Sequence, residues 1–271
     1  MGETKRVLFI NSEIVPYLPE SPIANIGRYL PQGIQERKKE IRSFMPRYGC
    51  INERKNQLHE VIRLSGMNIV IGNVDRPLII KVSSLAAARM QVYFIVNDDY
   101  FQRKALMTDA KGAAFPDNAE RIIFFARSVL ETVKKSRWAP DIIHCHGWIS
   151  HLIPLYLKKI YYNDPIFASS KIILSLYDDL QKEPFQSDFA AKALIPGISE
   201  DDLALLKEPT GVNLAKLAAQ NSDGVIFGSE GIDSGLESFC RGLGLPVLDY
   251  DGERIADGSY IDDYNAFYDR F

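Results

Sequence analysis

Short apolar runs rich in β-branched residues alternate with helical segments along most of this chain, and that alternation leaves few folds open. Val7–Ile10, Ile41–Met45, Ile142–Cys145, Ile172–Leu176 and Gly224–Phe227 each read as a strand, Val7–Ile10 and Ile142–Cys145 as buried ones. A strand with no polar face must be covered on both sides, which is the condition of a parallel sheet between two layers of helices. Between these runs, Ile23–Glu36, Asn118–Trp138, Trp148–Tyr161 and Val212–Ala219 repeat apolar residues at helical spacing. In the first of these helices, Ile23, Ile26, Tyr29, Leu30 and Ile34 share a face, and Pro31 predicts a kink or a break into two. The expected fold class is α/β: a single three-layer Rossmann-like domain with a mainly parallel sheet.

One stretch departs from the alternation. Val61–Leu64, Ile69–Ile71, Leu78–Val82 and Val92–Val96 follow one another with no helix between them, predicting a β-rich insertion joined by hairpins. Glu183–Pro209 is polar and contains prolines, predicting short surface helices. Across Tyr260–Phe271, Tyr260, Tyr264, Phe267, Tyr268 and Phe271 form one aromatic stripe. Such a stripe has to be covered, and the expectation is an amphipathic helix at 260–271 packed back on a single domain spanning 1–271.

Composition narrows the function. A net charge of −3 over 271 residues provides no field for nucleic acid or an anionic membrane. No apolar run approaches the roughly 20 residues that span a bilayer. The opening passes from a charged tip straight into a strand, so neither a signal peptide nor lipidation at Met1-Gly2 is expected. Cys50, Cys145 and Cys240 are odd in number and widely spaced, which predicts free thiols and a cytoplasmic location. Cys145 and Cys240 read as buried structural thiols rather than nucleophiles. His144 and His146 would share one face of a strand and Cys145 the other, so no metal site is expected. Gly242-Leu243-Gly244 reads as a helix end and turn, and Asp98-Asp99 and Asp178-Asp179 as turn residues.

Six co-linear segments carry a family resemblance: RVLFINSEIVPYL, IRSFMPRYG, VYFIVNDDYFQR, PDNAERIIFFARSVLE, PDIIHCHGWISHLIPLYLK and GVNLAKLAAQNSDGVIFGS. In this order and spacing the chain resembles the N-terminal half of the bacterial glycogen/starch synthases. These are retaining glycosyltransferases with two Rossmann-like domains, the GT-B arrangement. The resemblance implies a domain of α-1,4-glucan biosynthesis, a hexosyltransferase lineage, and ADP-glucose as substrate, with no separate cofactor. It places Glu13, Asn25, His146, Trp148 and Tyr177 at substrate-binding positions.

The departures from the family fall on the same chemistry. Where the family has K-x-G-G-L-x-D-V after the first strand, this chain has Pro19 for the lysine, Ser21 and Pro22 for the glycines, and Asn25 for the aspartate. Proline has no N–H and holds φ near roughly −65°, so Pro22 can neither donate to a phosphate nor take glycine's conformations. A lost lysine–phosphate contact removes roughly 1.5–3 kcal/mol. In the H-x-H-D-W block, His144-Cys145-His146-Gly147-Trp148 has glycine in place of the carboxylate. In the T-I-H-N-L block, Tyr177 takes the histidine position.

The family's second domain, which holds most of the nucleotide sugar, has no counterpart in these residues. The expectation is therefore a domain inactive as a lone chain, completed by a glycogen-metabolic protein. Two other expectations stand beside it: a non-catalytic relative that binds α-glucan or an enzyme, and a binder of an unrelated small molecule at the crevice where strand order reverses.

Overall fold

The computed structural model describes residues 4–271, so the Met1-Gly2 reading lies outside the described residues. The strands are β1 (Arg6–Asn11), β2 (Glu40–Pro46), β3 (His59–Glu60), β4 (Met67–Ile71), β5 (Val74–Leu85), β6 (Met90–Val96), β7 (Ile142–His146), β8 (Lys171–Leu176), β9 (Gly224–Phe227) and β10 (Val247–Leu248). The α-helices are α1 (Pro22–Glu36), α2 (Asp98–Phe101), α3 (Asn118–Ser136), α4 (Ile153–Lys159), α5 (Phe189–Ala193), α6 (Gly211–Gln220), α7 (Ser234–Gly242), α8 (Gly252–Asp257) and α9 (Tyr260–Tyr268).

The strands join in the order β10-β9-β8-β7-β1-β2-β6-β5-β3, with β4 paired to β5. Every pairing from β10 to β6 is parallel, while β5 pairs antiparallel with β6, β3 and β4. The chain leaves β1 toward β2 on one side and returns to β7 on the other. The strand order therefore reverses between β1 and β7, the position where open α/β sheets take ligands at their carboxyl ends.

Alternation along the central strands divides the core into two layers. Leu8, Ile10, Ile143, Cys145, Leu174 and Val225 point into the larger layer, under α3, α4 and α6. Val7, Phe9, Ile142, Ile173 and Ile226 point to the opposite face, which α1 and α9 cover. The aromatic stripe is what closes that second face: Tyr260, Tyr264, Phe267 and Tyr268 are all buried against it. Lys5 Nζ donates to the Tyr268 carbonyl at 3.1 Å and Lys39 Nζ to Asn265 Oδ1 at 2.6 Å, pinning α9 to the start of the sheet.

Four local expectations are corrected. Val61–Leu64 is a turn, not a strand. The N–H groups of Leu64 and Ser65 both return to the Val61 carbonyl, and Ile62 faces solvent while Leu64 tucks inward. Pro31 does not divide α1, which runs unbroken from Pro22 to Glu36. Tyr29, read as part of its apolar face, is 51% exposed. The helix expected from Trp148 begins only at Ile153, after a 3₁₀ turn at Trp148–Ser150. Pro154 sits at its second position, where a missing N–H costs no helical bond. The β-rich insertion is present as β4–β6, and α7 ends at Gly242 with Gly244 at φ +69°.

Candidate functional site

Three of the five residues singled out in the sequence lie at the carboxyl ends of β7 and β8, all closed off: His146 and Tyr177 meet on one face, while Trp148 belongs to the core layer on the other. His146 is 1% exposed, Trp148 3% and Tyr177 4%. His146 Nδ1 lies 2.9 Å from the Tyr177 hydroxyl. Beside it, His144 Nδ1 lies 2.5 Å from the Tyr268 hydroxyl on α9 and its Nε2 2.7 Å from Ser175 Oγ. As the strand alternation requires, both imidazoles point to the α9 face and Cys145 points away.

Burial fixes the protonation of this cluster. Loss of hydration pushes His146 down to about 3 and His144 well below its ordinary value, the latter helped by the His146 ring. Tyr177 is pushed well up, first by burial. At neutral pH these side chains are uncharged, and none is poised to exchange a proton. Burial likewise raises the Cys145 thiol, and moves Cys240 up to about 11, so both remain protonated thiols. Among the described residues, no group of three His, Cys, Asp or Glu side chains could hold a metal ion.

The glycine in the H-x-H-G-W block is built into the backbone. Gly147 has φ +82° and ψ 165°, a conformation open essentially to glycine alone. A Cβ there would stand 2.1 Å from Ser12 Oγ and 2.8 Å from Ile23 Cδ1. Ser12 and Ile23 therefore occupy the space an aspartate would need.

Trp148 packs on a buried cation. The Arg121 guanidinium lies 5.7 Å from the indole and 5.3 Å from the Phe101 ring. Its Nε donates to the Tyr100 carbonyl at 2.9 Å and one terminal nitrogen to Asn118 Oδ1 at 2.6 Å. It is held by neutral acceptors and aromatic faces, and is fully enclosed, out of reach of a phosphate.

Glu13 and Asn25 lie around the start of α1. Ser21 caps this helix, its Oγ accepting the Ala24 N–H at 3.0 Å and donating to Glu13 Oε2 at 2.9 Å. A helix N-terminus attracts anions through its unpaired N–H groups and dipole. Here Pro22 has no N–H, Ala24 is capped, and a carboxylate already lies against the cap. Burial raises the Glu13 carboxyl, an effect the Ser21 hydroxyl partly offsets.

Asp179, set aside in the sequence as a turn residue, belongs to the site. Its Oδ2 accepts the Trp148 N–H at 2.8 Å, tying the segment after β8 to the segment after β7. Burial, with Glu13 nearby adding to it, raises its pKa to about 7. Its carboxyl therefore changes charge near neutrality. Asp178, its neighbour, is exposed and diverges from it. Only the pairing of β7 with β8 brings Asp179 beside Trp148, and no local sequence signal marks that approach.

A carboxyl raised in the folded state is protonated there and ionised in the unfolded chain between their two pKa values. Its contribution therefore weakens folding as pH rises from about 4 to 7 and stays unfavourable above. The Asp179→Asn variant is expected to gain stability over the parent at pH 8 and to show a smaller gain at pH 5. Urea denaturation at the two pH values checks this, and an equal difference at both would contradict it.

Residues 6–244 match the family model described as starch synthase catalytic domain. The chain belongs to that family. It is 34% identical over 250 residues to a glycogen synthase of Chlorobium limicola, covering 89% of this chain and 50% of that protein. A glycogen synthase of Chlorobium phaeobacteroides is 39% identical over 174 residues, covering 64% of this chain and 36% of that protein. Among solved structures, the catalytic domain of starch synthase IV from Arabidopsis thaliana, bound to ADP and acarbose, superposes with a TM-score of 0.72. It is 17% identical, covering 91% of this chain and 51% of that one. This starch-synthase domain thus has the Rossmann-like fold of the N-terminal half of the two-domain enzymes, and spans about half the length of the curated relatives it matches.

Proposed function

We propose that this glycogen/starch-synthase-type domain serves α-1,4-glucan biosynthesis by engaging glucan, and that it does not transfer glucose from ADP-glucose on its own. The observation that carries this reading is the start of α1. The position that would face a nucleotide diphosphate holds Pro22, a Ser21 cap and the Glu13 carboxylate, with no cation between Asn11 and Gly27. Negative charge against negative charge disfavours a diphosphate there, and transfer requires cationic stabilisation of the leaving group.

A neutral polyhydroxylated ligand meets no such conflict of charge, and Ser21 and Asn25 at the start of α1 offer it uncharged hydrogen-bonding groups. No helix among the described residues is long and apolar enough to cross a membrane. A cytoplasmic place, and a protein partner supplying the cationic half of a transferase site, complete the proposal.

The test is a primer-extension assay. The purified chain, given ADP-glucose and maltoheptaose, is expected to release no ADP above background and to leave the primer unlengthened. Extension by the chain alone would contradict the proposal.

A further inference from the structure

Strands β2 and β6 part at their amino ends. Their parallel ladder begins only at Ser43 and Val92. Before those residues β2 pairs with β1 alone, and Met90 and Gln91 pair with β5 alone. The gap between the two strand starts is a cavity of about 430 Å³, within the range of small-ligand sites. Both strands run parallel to β1 and β7, so this is the end of the sheet opposite the crevice where strand order reverses.

The cavity is lined by two arginines, Arg42 and Arg89, with Gln35, Glu40 and Gln91. Glu40 is its one carboxylate, and both of its oxygens are engaged: Oε1 accepts from Trp138 Nε1 at 2.6 Å and Oε2 from Arg6 Nε at 3.4 Å. Arg42 gives one N–H to Ser136 Oγ at 3.0 Å and rests 4.8 Å from the Trp138 ring, neither of which neutralises it. Burial first, then the charges of Arg63 and Arg6, lower Arg42 from its ordinary value against an opposing pull from Tyr93 and Glu40. Arg89 is exposed and forms no ion pair among the described residues. Its backbone takes φ +51° after the 3₁₀ turn Ala86–Ala88, and Gln35 Nε2 donates to its carbonyl at 3.2 Å. Glycine or asparagine would take that left-handed turn at less cost, so a long cation is held here against its backbone preference.

In a chain of net charge −3, this end of the sheet therefore concentrates positive charge in a concave site, where the field is focused. We propose that the cavity between the amino ends of β2 and β6 binds a terminal phosphate group, free or on a small phosphate monoester, through Arg42 and Arg89. Two guanidiniums match the two charges and three open oxygens of such a group better than the single charge of a phosphate diester. The amides of Gln35 and Gln91 and the hydroxyl of Ser84 lie beside the arginines to meet an attached polar group. The site is independent of the function proposed above, whose residues lie at the start of α1.

Isothermal titration of the full chain at pH 8, where a terminal phosphate carries close to two charges, tests the site at constant ionic strength. The probes are glycerol 3-phosphate, inorganic phosphate and dimethyl phosphate. Both dianions are expected to bind, the ester more tightly because the cavity has room beyond a phosphate, and dimethyl phosphate at least tenfold more weakly. Tighter binding of inorganic phosphate than of the ester would support the site and name the free ion as its ligand. Arg89→Gln is expected to weaken both dianions at least tenfold. Its side chain is exposed, so the thermal midpoint without ligand is expected to stay at the parent's value. Dianion binding untouched by Arg89→Gln, equal binding of dimethyl phosphate, or silence with both dianions would overturn the proposal.

Discussion

Ending the chain at Gly258 is expected to leave a protein that does not fold to a soluble state. Helix α9 buries Tyr260, Tyr264, Phe267 and Tyr268, each within 6% of complete enclosure. At about 1.5–3 kcal/mol for a buried side chain of this size, the loss is on the order of 6–12 kcal/mol. That is comparable to the whole stability of a typical domain, about 5–15 kcal/mol. The truncation also uncovers Phe9, Ile173, Tyr177 and Ile226 as one apolar face, and takes the Tyr268 hydroxyl from His144.

A milder variant keeps the question quantitative. Phe267 lies against the strand backbone at Gly224, where an added Cβ would stand 3.1 Å from its ring. Phe267→Ala is expected to cost about 3–5 kcal/mol in urea denaturation. A soluble truncated chain, or a Phe267→Ala midpoint equal to the parent's, would show that the tail is not part of the core.

Restoring the family's aspartate at position 147 is expected to damage the protein rather than repair it. Gly147→Asp combines a backbone conformation costing roughly 1–3 kcal/mol for a non-glycine residue with overpacking against Ser12 and Ile23 costing roughly 1–3 kcal/mol. An unpaired carboxylate in a closed site adds to both. The expected result is a loss of roughly 3–6 kcal/mol, read from the urea midpoint, or failure to accumulate folded protein. Gly147→Ala shares the strain and part of the overlap and is expected to fall between the two. A stable Gly147→Asp protein would mean that the backbone at 147 relaxes and that the departure from the family is a simple side-chain exchange.

The parts legible in the sequence are those where one physical demand dominates. Strands β1, β7, β8 and β9 are buried on both faces, so apolar residues dominate them and their places are plain. The stripe on α9 announced a covered helix because aromatic residues at helical spacing have no other stable use. Val61–Leu64 misled because an apolar run alone does not distinguish a strand from a turn that tucks in one side chain. Tyr29 has helical spacing with the buried residues of α1, yet its ring falls just past the edge of the covered face.

Within the site, the substitutions at Pro19, Ser21, Pro22 and Gly147 could be read against the family motif. What they do could not. That Ser21 links the helix start to Glu13 depends on a loop closing over eight residues, and that Ser12 fills the space beside Gly147 depends on β1 lying next to β7. Asp179 was invisible for the same reason: it matters through Trp148, 31 residues away.

The most direct test of the account is titration of the purified chain with ADP-glucose at low ionic strength, where any phosphate contact is strongest. With the α1 start closed by its own cap and carboxylate, no saturable heat is expected up to millimolar ligand. Saturable binding in the micromolar range, abolished by an excess of ADP, would contradict it.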